Sequence, residues 1–312
     1  MTQKSGLKLK PLYWFYALSF LLLAFIPVVA LLFNDGSMDF GAAAQKASAE
    51  TGVIWNSNIL NLIRLCLAEP MVWMLVFGSA VPSIAGLIVM FFVYDRQAWL
   101  RLMNRFRPGI NVSVSSTLKN YTLIFALLVP ALYLSFFIRT FTGGEPVQNL
   151  SVVGWSLIPA ILSIALFDQG AILEELGWRG FASDALQEQG LGVLKVAVIV
   201  GIAWGLWHLP RDVTTGVIER LGFSTYLFLY LPSFLAGTIS SSIVIGYFML
   251  RMGGSILPAI LIHGIINDAV GIRGQATIVD ALTPYHQITA AIPTMLVALL
   301  LMYLHRKKAQ AN

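Results

Sequence analysis

The sequence predicts an all-α fold, a polytopic membrane helix bundle of about eight transmembrane helices. Three observations carry this reading. Hydrophobic residues make up 57% of the 312 residues and charged residues only 11%, whereas soluble domains are roughly 45–50% apolar and about 25% charged. Eight separate runs approach the ~20 apolar residues that a helix needs to cross a bilayer. Lysine and arginine gather on alternate connections between those runs, the pattern of a multi-pass protein. A soluble globular protein, a disordered chain and a fibre are thereby excluded.

The first run, 11–33, exceeds the 7–15 apolar residues of a signal-peptide core and is followed by no small-x-small cleavage site, so it is expected to be retained. The others are 71–94, 121–138, 151–170, 192–209, 225–250, 254–272 and 285–304. With the N-terminus in the cytoplasm and strict alternation, fourteen of the 20 Lys and Arg fall on the cytoplasmic side and six outside. Both termini are therefore expected inside, in the cytoplasmic membrane of a bacterium. The net charge of +5 reflects this asymmetry, and no nucleic-acid partner is expected. The lone Cys66 has no partner cysteine for a disulfide within the chain.

Three regions follow. Residues 1–147 form an N-terminal transmembrane region with about three spans. Within it, 35–70 is long and Ala-rich, read as an outer loop with a surface helix. Residues 96–107, RQAWLRLMNRFR, place Arg101 and Arg105 one helical turn apart, with Trp99, Leu102, Met103 and Phe106 on the other side. Such a segment is either an amphipathic helix on an anionic leaflet or a positive loop that sets topology. The polar stretch 111–120 reads as a linker. Residues 148–272 hold the chemistry, and 273–312 add the last span and a basic cytoplasmic tail.

Ionisable groups inside a span cost at least ~2.5 kcal/mol each, so they mark function. Spans one to three carry almost none. The second half carries Asp168, Glu174, Glu175 and Arg179, then His208, then His263, Asn267 and Asp268. Glu175 and Arg179 are spaced i, i+4 and can pair on a helix. Glu174 points about 100° away from Glu175, which leaves one carboxylate free to act as a general base. Trp204 and His208 share a helix face, as do His263 and Asn267, and Gly201 with Gly205 permits close helix approach. Taken singly, the glutamates and Arg179 are equally compatible with a packing ion-pair network, His208 reads as an interfacial histidine, and His263 with Asn267 is equally compatible with a helix-to-helix hydrogen bond. Together they form a polar cluster that a membrane protein keeps for use. His286 and His305 read as interfacial.

The motifs Glu174-Glu175-x-x-x-Arg179, Trp204-x-x-x-His208 and His263-x-x-x-Asn267 resemble those of the CPBP family. These are the CAAX proteases and bacteriocin-processing enzymes, also called the Abi family, which include the Ras-converting CAAX endopeptidase. Trp178 and Gly180 flank the arginine as in family members. The first position of the second motif is more often Phe there, so Trp204 departs from the pattern. The resemblance covers roughly 148–272.

It implies an intramembrane endopeptidase acting on a membrane-associated peptide or protein. By resemblance Glu174 activates water and His208 holds it, while His263 and Asn267 polarise the scissile carbonyl. Glu175, Arg179 and Trp204 support them. The absence of HExxH excludes an ordinary zincin. Glu174, His208 and His263 could still bind zinc, but Asn267, a poor metal ligand and a good carbonyl donor, favours metal-independent water activation. No organic cofactor is expected. Two other classes fit the same residues, a proton- or ion-coupled transporter and a catalytically inactive immunity or scaffold protein. One tension remains in the topology. Alternation puts Glu174 at the cytoplasmic end of its span, where the site would open, and His208 at the outer end. A working site then requires a short, tilted or broken helix near Gly205.

Overall fold

The computed structural model describes residues 10–33, 40–142, 162, 165–214, 216–272 and 282–311. Thirteen helices and no strands occur among them. Helix α1 is Pro11–Phe33, α2 Phe40–Thr51, α3 Ile59–Ala68, α4 Trp73–Val93, α5 Arg96–Asn104 and α6 Val114–Phe141. Helix α7 runs continuously through Gln169–Glu175, a π-helical turn Leu176–Ala182, and Ser183–Glu188. Then come α8, Val193–Trp207; α9, Leu209–Thr214; α10, Val217–Leu221; α11, Phe223–Thr225 continued through a π turn into Leu231–Arg251; α12, Leu257–Ile272; and α13, Pro284–Ala311. Six of the described helices are long and apolar enough to cross a membrane, and α12 is a shorter apolar one.

Two sets of contacts mark the ends of the bundle. At one end Arg105, just after α5, donates through Nε to the Gly254 carbonyl at 2.7 Å and through its terminal nitrogens to those of Gly180 and Arg179, both at 3.1 Å. It also pairs with Asp184. The Arg105 carbonyl accepts from Ile256 N–H at 2.8 Å, which ties in the start of α12. At the other end Asn58 and Asp168 form an isolated antiparallel bridge, and Gln169 N–H donates to the Ser57 carbonyl at 2.8 Å. Helix α7 runs between these ends, and so do the long helices and α12.

The helix that carries the glutamates is α7. The expected run 151–170 lies mostly outside the described residues, and the helical pass begins where that run ends. Twenty residues of helix reach about 30 Å, a full crossing. A hydropathy window misses α7 because it contains Glu174, Glu175, Arg179 and Asp184, the last three of which are paired inside the protein. Glu174 lies six residues from Asp168, about 9 Å along the axis from the Asn58 end. Trp207 and His208, at the end of α8, face the same end. Helix α8 is unbroken through Gly205, and Trp204 joins Glu174 to His208, so the two meet without a short or broken helix.

The basic segment is corrected. Helix α5 begins at Asp95, whose carboxylate accepts from Ala98 N–H at 2.9 Å. Its buried stripe is Ala98, Leu102 and Arg105, while Leu100, Met103 and Phe106 face outward. Arg105 turns inward to donate to two carbonyls of the π turn in α7, Arg179 and Gly180, and to that of Gly254 after α11, which accounts for its burial. Residues 40–68 fold as two helices with a small core of Ala44, Ala47, Leu62, Leu65 and Cys66, against which Leu173 packs. They form a packed cap at the Asn58 end rather than a loop. His286 is buried at the start of α13 and His305 is exposed.

Close backbone crossings hold the passes together. A Cβ on Gly177 would come within 2.3 Å of the Pro82 carbonyl, so α7 touches the backbone of α4. There Ser83 inserts its hydroxyl into the helix. It donates to the Leu173 carbonyl and accepts from Gly177 N–H at 3.3 Å. Those two groups would otherwise bond each other as an i, i+4 pair, and this insertion accounts for the π turn that follows. Gly201 and Gly205 allow the matching approach of α8 to α11, where a Cβ on Gly201 would meet Ile239 Cα at 2.6 Å.

Candidate active site

The site is built around Trp204, in the last turn of α8. Its indole Nε1–H donates to Glu174 Oε2 at 2.7 Å. Its carbonyl accepts from His208 Nδ1 at 2.8 Å. A carbonyl can only accept, so His208 carries its proton on Nδ1 and leaves Nε2 as an acceptor. The Trp204 ring lies 4.8 Å from the His263 ring and 6.0 Å from that of His208, centroid to centroid. The Arg179 guanidinium stacks 4.8 Å from the same indole.

The two glutamates have different partners. Glu175 Oε1 accepts from Arg179 at 3.0 Å and from His263 Nδ1 at 2.7 Å. Arg179 also donates to Ser242 Oγ at 2.8 Å. All three members of this triad are buried. Glu174 is buried as well, yet it forms no ion pair with the arginine. Glu175 thus sits in a matched network, while Glu174 is held by a neutral donor.

Asn267 enters from α12. Its Nδ2 donates to Asp168 Oδ1 at 3.1 Å, and the same oxygen caps α7 by accepting from Ala171 N–H at 2.6 Å. A Cβ on Gly170 would lie 3.1 Å from Asn267 Nδ2 and 3.3 Å from both Asp168 Oδ1 and Glu174 Oε1. These three polar atoms therefore surround the bare Cα of Gly170, and the missing side chain keeps open the gap between Glu174 and Asn267. Asn267 is exposed, so this gap is the mouth of the cluster. The side chain of Asp268 lies outside the described residues.

The structure thus brings Glu174, Glu175, Arg179, Trp204, His208, His263 and Asn267 into one connected network at the Asn58 end. Sequence reasoning missed Ser242, Ser83 and the placement of Asp168. The run Ser240-Ser241-Ser242 within an apolar span was the available signal for the first. Among the described residues no three His, Cys, Asp or Glu side chains are grouped to hold a metal. His263 Nδ1, His208 Nδ1 and Glu174 Oε2 are each committed elsewhere.

Comparison with known proteins agrees with the motifs. Residues 154–269 match the family described as type II CAAX prenyl endopeptidase Rce1-like. A curated relative, CAAX prenyl protease 2 of Methanococcus maripaludis, is 30% identical over 154 residues. The aligned part is 48% of this chain and 55% of that protein, so the chain spans about half the length of the curated relative it matches. Residues 154–269, which bear all three motifs, are thus the part of this multi-pass membrane protein that is similar to the Rce1-like CAAX proteases.

Proposed function

We propose that the protein is an intramembrane endopeptidase that hydrolyses a peptide bond in or beside the bilayer through water activated by Glu174. The observation that carries this reading is the asymmetry of the glutamates. Glu175 is neutralised by Arg179 and His263, whereas Glu174 faces the Gly170 gap held only by an indole N–H. In this reading Glu174 accepts a proton as water attacks the scissile carbonyl carbon, and His208 Nε2 accepts the water's other hydrogen. The carbonyl oxygen becomes an oxyanion. It faces the second amide hydrogen of Asn267 on α12, and His263 through Nε2 when that nitrogen is protonated. Glu174 then passes its proton to the leaving nitrogen as the C–N bond breaks. No step is assigned to a metal: among the described residues no three His, Cys, Asp or Glu side chains are grouped to hold one.

The relative's name supports a C-terminal CAAX-type peptide as substrate class, presented on a membrane anchor. The charge asymmetry supports both termini in the cytoplasm, with the Asn58 end and the Gly170 gap toward the opposite face. The test is cleavage of synthetic peptides by the purified protein in proteoliposomes, with and without a prenylated cysteine. Cleavage of the prenylated peptide alone supports CAAX-type processing. Cleavage of neither, with ion flux instead, would support the transporter reading.

A further inference from the structure

A second cavity opens at the Arg105 end, away from the Gly170 gap. It holds about 460 Å³ and lies among α5, the last turns of α7, the start of α8 and the end of α11. That volume is in the range of small-molecule sites. Its lining divides by chemistry. Among the lining residues Arg101 and Gln187 are exposed and Asn104 is half-buried, whereas Val196, Val200, Ile245 and Met249 are apolar and buried. Arg179 and Ser242 also line it. Since Arg179 is buried against Glu175, its side chain divides this cavity from the glutamate pair.

The charges lining the cavity favour an anion. Arg105 is matched by Asp184 and Arg179 by Glu175. Arg101 is exposed and no hydrogen bond or ion pair with the described residues holds it, although its charge reaches Asp184, which Arg105 pairs with directly. Beside it Leu100, Met103 and Phe106 project outward from α5. Apolar residues next to basic ones on a short surface helix settle at headgroup depth. The mouth is then level with the lipid phosphates, and the apolar walls lead toward the acyl region.

We propose that this cavity binds one anionic phospholipid, its phosphate at Arg101 and an acyl chain between α8 and α11. Both halves of the lining are used by an amphiphile, whereas a free anion would leave the apolar walls uncovered. The position also fits a leaflet rich in anionic lipid, which attracts basic residues.

The test is native mass spectrometry of the full-length protein in detergent, titrated with phosphatidylglycerol or with phosphatidylcholine of identical chains. Phosphatidylglycerol should be retained at about tenfold lower concentration, the loss expected when one charge-assisted contact is absent. Arg101→Glu should reduce its retention to the phosphatidylcholine level, and Arg101→Lys should keep most of it. Arg101 is exposed, so both variants should melt as the wild type does, and melting curves check this. Equal retention of the two lipids, or full retention by Arg101→Glu, would overturn the proposal. Displacement of phosphatidylglycerol by inorganic phosphate alone would also overturn it, because the acyl chain would then contribute nothing. The readout does not depend on proteolysis, so it stands apart from the fate of the proposed activity.

Discussion

The indole N–H of Trp204 donates to Glu174 Oε2 at 2.7 Å, and the carbonyl of the same tryptophan fixes His208. One residue therefore orients both groups proposed to handle the water. Phenylalanine, more usual at this motif position in the family the sequence resembles, could keep the packing and the carbonyl but not the indole donor.

Trp204→Phe tests that donor. A hydrogen bond to a charged group contributes about 1.5–3 kcal/mol, and each 1.36 kcal/mol is about tenfold in rate. The variant should fold normally and lose about tenfold or more in kcat/KM. Steady-state cleavage beside a melting curve checks this. Unchanged kcat/KM would reduce Trp204 to a packing residue.

Arg179→Ala should destabilise the fold. It takes from the buried Glu175 its cationic partner, leaves the bond from His263, and removes the bond to Ser242. Breaking a buried pair costs about 3–5 kcal/mol. A pronounced fall in thermal midpoint in detergent is expected. A midpoint equal to the wild type's would show that the pair is solvated rather than buried.

Metal removal should leave activity intact. Dialysis against a strong chelator, followed by peptide cleavage and metal analysis, is the measurement. Activity that disappears with the chelator and returns with stoichiometric zinc would overturn the metal-independent assignment and require the ligands to rearrange.

Sidedness can be read with cysteines in a Cys66→Ala background. Glu50 lies on the cap and Gln97 on α5, and both are exposed. Glu50→Cys and Gln97→Cys should label from opposite faces of intact cells or vesicles, Gln97→Cys from the cytoplasm. Labelling of both from one face would contradict the crossing of α7. Reversed labelling would instead turn the Gly170 gap toward the cytoplasm.

The sequence made the bundle legible because lipid imposes a simple rule, long apolar runs separated by charge. That rule failed at α7, where Arg105, Asp184, Arg179 and Glu175 match one another within the protein and the hydropathy signal is lost. The pairing of Glu175 with Arg179 was readable from the i, i+4 spacing. The engagement of His263 by Glu175 was not, since it joins helices 88 residues apart in sequence. Arg105 was assigned to the surface because an arginine reads as a surface charge until three carbonyls are found to need it. The insertion of Ser83 into α7 left no local signature, because its partners Leu173 and Gly177 lie about 90 positions further on.

The central claim is that Glu174, and not Glu175, is the base. Single-turnover cleavage of one peptide by wild-type protein and by Glu174→Gln, each with its melting curve, tests it most directly. Gln keeps an oxygen for Trp204 but cannot take up the proton. A Glu174→Gln protein that melts like the wild type and leaves the peptide uncut is the expected result. A protein that still cuts, or that loses activity only because it unfolds, would contradict the account.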